Sequence, residues 1–568
     1  MSTNGRAAGL NPPISVEFQN PSLDMQGDQN YGSIPAPAKK EQQNGGVVQR
    51  DADEDAFVEV SYAKGLFALF GGTLFVLLFL AFTGTSSHGS REMVRSASLA
   101  TSSSAFDDQR FYYHQRVDHF DRSNRATYAQ RYFEDSSFFG GPGYPIFVVM
   151  GGEDAVEGIV YPWISRSLAE KFGALTICIE HRFYGASQPI DPALVTNSDF
   201  RHYLHPRQAL ADASYLIRKI QQAVGCGPRG SSDYCPVLTV GGSYSGFLSV
   251  LMRTIHSDVV DMAWGSSAPL MLYSHSVSDD AYYDKLTEVA EKYSPGCAAA
   301  VKATLTEFQE DLLSSEKDVH EVAQEIGLCK DSLPAYIDKL AVLQQEVIMI
   351  VASHFAENNM EFYPPTEDME MVQGCRKFQQ TNRSTFQRIS DFLRMRKGFE
   401  NCFDVVTELP PGVYGTISAS DWSGVGGGHS GYIWDYQSCT LIQECSLSPE
   451  SMFPPRKFTL EWLTNHCQRR FGYTPHLDSL VEEFGFDNLS RDSYILFTNG
   501  ANDGWVTASI THNISDTIVT YNFPNGAHHS DLTHTGATDQ DTPDIVEGHE
   551  KISALIGKWL KSFGGAKQ

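Results

Sequence analysis

The first 177 residues of this 568-residue chain contain no cysteine; all ten lie between Cys178 and Cys467. None of the ten forms a C-x-x-C pair, which removes the spacing of a zinc site or of a thioredoxin-type dithiol, and neither a metal nor a cofactor is expected. Basic residues are scarce as well: 43 Lys and Arg stand against 69 Asp and Glu, a formal charge of −26. A chain of that sign lacks the cationic clusters that bind phosphate, so nucleic acid is excluded as a partner. No internal repeat is visible. The strict G-x-S-x-G pattern of a hydrolase turn is also missing around Ser243 and Ser245 in "GGSYSG" (241–246), although glycines flank the pair.

What is present divides the chain. The first sixty or so residues are rich in Pro, Gly, Gln, Asn and Asp with few apolar runs, and residues 1–64 read as a disordered tail. Gly65 to Gly84 then gives 20 residues without a charge, which at about 1.5 Å each match a bilayer core of about 30 Å. The tail before it is too long for the n-region of a cleaved signal peptide, so the span reads as a signal anchor. Residues 85–110, with the run "SASLATSSSAF", read as a stalk. Arg50 and Lys64 before the span and Arg91 and Arg95 after it do not set the orientation. The cysteines do, being even in number and all beyond the span, as do the glycosylation sequons at Asn382, Asn488 and Asn513. They place the body in a lumen of the secretory or endolysosomal system, or outside the cell, as a single-pass type II membrane protein.

Within the body, "YPIFVVM" (144–150), "ALTICIE" (174–180), "PVLTV" (236–240) and "YILF" (494–497) are continuous apolar runs of strand length. Continuous rather than alternating patterning suits strands buried on both faces of a parallel sheet. Helical stretches such as "PRQALADASYLIRKIQQAV" lie between them, giving an α/β body. From about residue 275 the pattern changes: Val301, Leu305, Phe308 and Leu312 recur at helical spacing, and "IDKLAVLQQEVIMIVASHF" continues it. The expected organisation is a first sheet segment over 111–274, a mainly helical insertion over 275–470 and a second sheet segment over 471–568. "SGVGGGHSG" (423–431) reads as a flexible loop.

The chemistry centres on "PVLTVGGSYSG". A nucleophile turn needs a buried strand, small residues around the serine and a helix immediately behind it. Ser243 has Gly241 two before and Ser245 two after, whereas Ser245 has Phe247 on its far side, so Ser243 is the better candidate. A helix from about Ser245 would turn its positive end toward an oxyanion, with Tyr244 N–H as one donor and the "GGE" turn, at Gly152, as the second. Asp503 follows a buried run and His528 and His529 follow another, which is the Ser, Asp, His chain order of the α/β-hydrolase fold. Trp505 is placed to wall an apolar pocket, and Glu153 to meet a substrate ammonium or to brace its turn.

"QRVDHF" (115–120), "EHRFYGASQP" (180–189), "GGSYSG", "SSAPL" (266–270), "WDYQSCT" (434–440), "NGANDGW" (499–505) and "GAHHSDL" (526–532) occur in this order. With them the chain resembles the lysosomal serine exopeptidases that include prolyl carboxypeptidase, dipeptidyl peptidase II and the thymus-specific serine protease. The resemblance covers residue 111 to the C-terminus. It implies an α/β-hydrolase fold with a helical insertion, or cap; Ser243 as nucleophile, Asp503 as acid and His528 as base; and short peptides, cut after proline or a small apolar residue, as substrates. The relatives' Asp-Pro-Trp is Asp503-Gly504-Trp505 here, and the glycine suggests a looser loop. Their Cys-Thr-Glu is Cys439-Thr440-Leu441, and "GGEDAVEG" stands for a shorter oxyanion turn. The partners implied are peptides and the membrane through one span, with a homodimer left open. A silent adhesion or receptor module and a lipase or esterase are the competing readings; the intact triad opposes the first, and the motifs outside it oppose the second.

Overall fold

In a computed structural model, the described residues run from 108 to 563, apart from 330–332, 334–336, 396–401, 403–427, 442–444, 457–459, 477 and 534–539. The tail, the apolar span at 65–84 and nearly all of the stalk lie outside them. Among the described residues no helix is long and apolar enough to cross a membrane.

Eight strands form one sheet: β1 (Asp108–Arg116), β2 (Thr127–Asp135), β3 (Ile146–Met150), β4 (Leu175–Ile179), β5 (Val237–Gly242), β6 (Met262–Ser266), β7 (Ile495–Gly500) and β8 (Ile518–Phe523). Their spatial order is β1-β2-β4-β3-β5-β6-β7-β8. Pairing is antiparallel at β1–β2 and β2–β4 and parallel elsewhere, so β2 alone runs against the others. The apolar runs become strands because both faces of the sheet are covered. On β3, Ile146, Val148 and Met150 enter one core and Phe147 and Val149 the other.

The helices that matter here are α1 (Pro206–Ala223), α2 (Ser243–Ile255), α3 (Ala281–Tyr293), α4 (Cys297–Leu313), α5 (Leu340–Met360), α6 (Gly428–Leu441) and α7 (Pro543–Leu560). Leu216 and Ile217 of α1 and Phe247 and Leu251 of α2 cover one face of the sheet; Ile552, Ile556 and Trp559 of α7 cover the other. Helices α3 to α6 fall between β6 and β7. Val301, Leu305, Phe308 and Leu312, the helical stripe expected from the sequence, are buried in a separate core with Val347, Val351 and Phe355 of α5.

Three strands escaped the sequence reading. β1 (DQRFYYHQR) and β2 (TYAQRYFED) mix blocks of polar and aromatic residues and contain no continuous apolar run. β6 is "MAWGS", whose glycine and serine weaken the strand signal. Gly265 is required there, since a Cβ would come within 2.9 Å of Val250 Cγ2 and 3.1 Å of Gly246 O, both on α2. The glycine-rich loop expected over 423–431 is corrected at its end: Gly428 to Gly431 open α6, because Tyr432, Ile433 and Tyr436 behind them bury an apolar face and carry the helix back to its start. Residues 423–427 lie outside the described residues.

Eight cysteines pair as Cys226–Cys235, Cys297–Cys375, Cys329–Cys402 and Cys439–Cys467. Cys178 and Cys445 stand outside these bridges, Cys178 as a buried core residue of β4. The even count therefore does not translate into five bridges, because a cysteine inside a parallel strand serves as a small apolar side chain. Loop entropy gives the 78-residue Cys297–Cys375 bridge more effect than the 9-residue Cys226–Cys235 bridge. Replacing both cysteines of the longer bridge by alanine should cost about 4.5 kcal/mol, against about 2.5 for the shorter. Melting temperatures that fall equally, or in the reverse order, would contradict this ranking.

Candidate active site

The parallel strands end in register. Gly242 of β5 pairs with Ser266 of β6, and Ser266 with Thr498 of β7, so three loops leave the carboxyl edge side by side. At β5 the chain turns directly into α2, and Ser243, its first residue, is held at φ +56°. A non-glycine residue there costs about 1–3 kcal/mol, and the surroundings fix it. A Cβ on Gly241 would lie 2.1 Å from Ser245 O, and one on Gly242 2.7 Å from His529 Cγ. The hydroxyl of Ser245 is occupied within the turn: it donates to Gly242 O at 2.7 Å and accepts from Gly242 N at 3.1 Å. The helix thus begins at Ser243 rather than Ser245, and Ser243 is the serine without a role in closing the turn.

Asp503 and His528 come together. Asp503 is fully buried and caps the short 3-10 helix Gly504–Ala508, its Oδ1 accepting from Trp505 N at 3.0 Å. Its Oδ2 lies 2.8 Å from His528 Nδ1, which therefore carries the proton and leaves Nε2 as the basic nitrogen. His529 takes a different position. Its φ is +36°, its N–H donates to Ser267 Oγ at 3.1 Å, and its ring lies against Gly242 and near Tyr161. Burial, aided by the charge of His528, pushes the His529 imidazole down to about 3, so it stays neutral.

Beneath this pair lies a residue the sequence reading missed. Asp531 is buried and accepts from Ser266 Oγ and Thr498 Oγ1, both at 2.6 Å, which ties the ends of β6 and β7 together under the histidine turn. Burial raises its carboxyl above the usual range. Its position in "GAHHSDL" was the available signal, but nothing in the spacing separates it from a helix-starting aspartate.

A cavity of about 470 Å³ opens beside Ser243, lined among others by Gly152, Glu153, Tyr161, Trp434 and His529. Glu153 is half-buried there, and burial raises its carboxyl. Asp154, also at the cavity, accepts from Ser430 Oγ of α6 at 2.7 Å. Among the described residues that line it there is no lysine or arginine. Tyr161 Oη accepts from Gly242 N at 3.0 Å, so the cavity wall also supports the serine turn. Tyr244 follows Ser243, and its side chain is buried against Trp434 at 5.2 Å between ring centroids.

Trp505 does not line this cavity. Its ring packs at a tilt against Tyr282, 4.6 Å between centroids, lies 6.3 Å from His528, and joins the helical core. Gly504 does not loosen the loop either: its N–H donates to Asn359 Oδ1 at 2.9 Å, and a Cβ would lie 2.5 Å from the Tyr282 ring. The glycine is there because an aromatic ring fills the space of a side chain.

Residues 115–552 match the peptidase family described as serine carboxypeptidase S28. The chain is 25% identical over 466 residues to the lysosomal Pro-X carboxypeptidase of Bos taurus, covering 80% of this chain and 88% of that protein. It is 26% identical over 458 residues to the Mus musculus protein of the same name, covering 80% and 89%. To the thymus-specific serine protease of Mus musculus it is 27% identical over 476 residues, covering 79% and 87%.

The turn geometry makes a direct prediction. Gly241→Ala must displace the first turn of α2, an overpacking cost of about 1–3 kcal/mol. The melting temperature should fall and fluorophosphonate labelling of Ser243 should be lost; a variant with unchanged labelling would show that the close approach at Ser245 O is not needed.

Proposed function

This chain belongs to the serine carboxypeptidase S28 family and is a serine-type peptidase, and on that premise we propose that Ser243, His528 and Asp503 are its catalytic triad. The observation that carries the reading is the Asp503–His528 pair at 2.8 Å, set after the adjacent strands β7 and β8, together with a serine held at φ +56° at the end of β5 in the same sheet. Strand order supports an α/β-hydrolase fold, with one reversed strand, the serine after β5, the aspartate after β7 and the histidine after β8. We read the helices between β6 and β7 as the insertion, or cap, expected over 275–470.

In this reading Ser243 Oγ attacks the scissile carbonyl while His528 Nε2 takes its proton, and Asp503 holds the imidazole and stabilises the imidazolium. The N–H groups of Tyr244 and Gly152 receive the oxyanion, the first backed by the N-terminus of α2. Collapse expels the amine, protonated by His528, and leaves an acyl ester on Ser243. Water, deprotonated by the same nitrogen, then hydrolyses the ester.

The relatives' names speak of Pro-X bonds, and we extend a preference for proline, or a small apolar residue, to this chain. The end of the peptide that is held follows from charge. A terminal carboxylate needs a cation or N–H donors, whereas the cavity beside Ser243 offers Glu153 and Asp154 and no lysine or arginine. The charge favours a substrate ammonium held by Glu153, with release of a dipeptide. The disulfides and the lysosomal relatives support a lumenal or secreted body; a type II anchor at 65–84, and glycans on the exposed Asn382, Asn488 and Asn513, complete the proposal.

Ser243→Ala should abolish fluorophosphonate labelling, and loss of Asp503 or His528 should lower turnover by on the order of 10⁴, with Ser245→Ala far milder. Labelling that survives Ser243→Ala would overturn the assignment.

The pH dependence of KM tests the polarity. Glu153 binds an ammonium only as carboxylate, and burial raises its titration. KM for Xaa-Pro peptides with a free amine should therefore rise as pH falls through that titration, and Glu153→Gln should have a high KM that no longer responds. N-terminally blocked Xaa-Pro-Xaa peptides cut as readily as free ones would show that the carboxyl end is the one recognised.

A further inference from the structure

Helix α5 ends against the loop that carries Asp503. Asn359, the penultimate residue of that helix, is fully buried and spends its amide on the main chain either side of Asp503. Its Nδ2 donates to Asn502 O at 2.7 Å, and its Oδ1 accepts from Gly504 N at 2.9 Å. The next residue, Met360, accepts from His528 N at 3.2 Å through a carbonyl left open by the helix end. Two consecutive residues of one helix thus hold the backbone of both Asp503 and His528.

The amide is well suited to this. It presents a donor and an acceptor in one plane, and Gly504 N, which can only donate, fixes which atom is the oxygen. The space it works in is kept open by Gly504, where the Tyr282 ring stands in place of a side chain. The Asp503 carboxylate has one oxygen on Trp505 N and the other on His528, so its plane follows the backbone of 502–504.

We propose that Asn359 is a positioning residue, which aims the Asp503 carboxylate at His528 by clamping the main chain on both sides of it. The proposal rests on Asp503 being the acid of the triad. Asn359 lines no part of the cavity beside Ser243 and acts on turnover rather than on substrate affinity.

The test is steady-state kinetics of the full chain with Asn359→Ala, Asn359→Asp, Asp503→Ala and the Asp503→Ala/Asn359→Ala double variant, each checked for its melting temperature. Misplacing a reacting group by about 1 Å costs up to about 10²-fold, so Asn359→Ala should lose roughly 10- to 100-fold in kcat with KM within about twofold. In the Asp503→Ala background the second change should cost nothing more. Asn359→Asp serves as an internal rescue. As a carboxylate it accepts from Gly504 N but cannot donate to Asn502 O; once protonated it does both, so its kcat relative to the parent should rise as pH falls. The charged and titratable groups around it are Asp503, His528, Tyr282 and, from α3, Tyr293 and Lys292, whose ammonium reaches Asn502 Oδ1 at 3.3 Å. Should Asn359→Ala not fold, the acid rescue of Asn359→Asp decides. A folded Asn359→Ala with parental kcat, an additive double variant, or an Asn359→Asp ratio flat with pH would overturn the proposal. An Asp503→Ala variant with parental kcat would instead overturn the triad reading itself.

Discussion

Between β5 and α2 the chain passes so close to itself that Gly241 has no room for a side chain: the nearest atom to a Cβ there is the Ser245 carbonyl oxygen at 2.1 Å. That contact forces the helix to start at once, and the immediate start holds Ser243 in the left-handed region. Both hydrogen-bonding functions of Ser245 are then needed to close the turn, and the bare backbone of Gly242 becomes the surface on which His529 rests. The strain at Ser243 persists because neighbours over-determine it, with Tyr161, Ser245 and His529 each touching Gly242.

The second layer of the molecule is joined to the first beside the proposed triad. The helices between β6 and β7 have their own core, and Ala527 and Trp505, each within two residues of a proposed triad member, are the described residues of the second sheet segment that enter it. Gln437 of α6 donates to Tyr244 Oη at 2.8 Å and accepts from Tyr184 Oη at 2.5 Å, while Tyr244 Oη lies 3.3 Å from His181 Nε2. The residue after the serine is therefore gripped by α6, as the loop of Asp503 is gripped by α5. The loops at the sheet's edge carry the proposed triad, and the helical layer constrains their backbones.

How much of this was legible depended on whether a signal was local. Four apolar runs announced β3, β4, β5 and β7 because burial on both faces leaves a continuous pattern. The stripe Val301, Leu305, Phe308, Leu312 announced α4 for the same reason at another period. β6 was hidden because its glycine answers to α2, not to strand propensity. Ser243, Asp503 and His528 stood out by chain order. Asn359 could not, since its partners are 143 and 145 residues away and an asparagine near a helix end has no pattern of its own. Gly504 shows the same limit from the other side. As a sequence departure it suggested slack, and only the Tyr282 ring, more than two hundred residues earlier in the chain, explains it.

The buried ionisable groups around the site oppose one another as pH changes. Burial pushes His181 down to about 4 and His529 to about 3, against an ordinary value near 6.5. Between those limits the unfolded chain binds protons that the folded chain refuses, so both histidines lose stability for the fold as pH falls below about 6.5. Asp531 and Glu153 are raised by burial, so in acid the folded chain keeps protons that the unfolded chain has released. They contribute stability as pH falls through their raised titrations, the opposite sign. Below about pH 6.5 the fold thus holds its two neutral histidines against a penalty that the carboxyls of Asp531 and Glu153 in part offset. The neutrality of His181 also keeps its Nε2 free to accept from Tyr244, because its Nδ1 is held at 2.8 Å from Arg182 O.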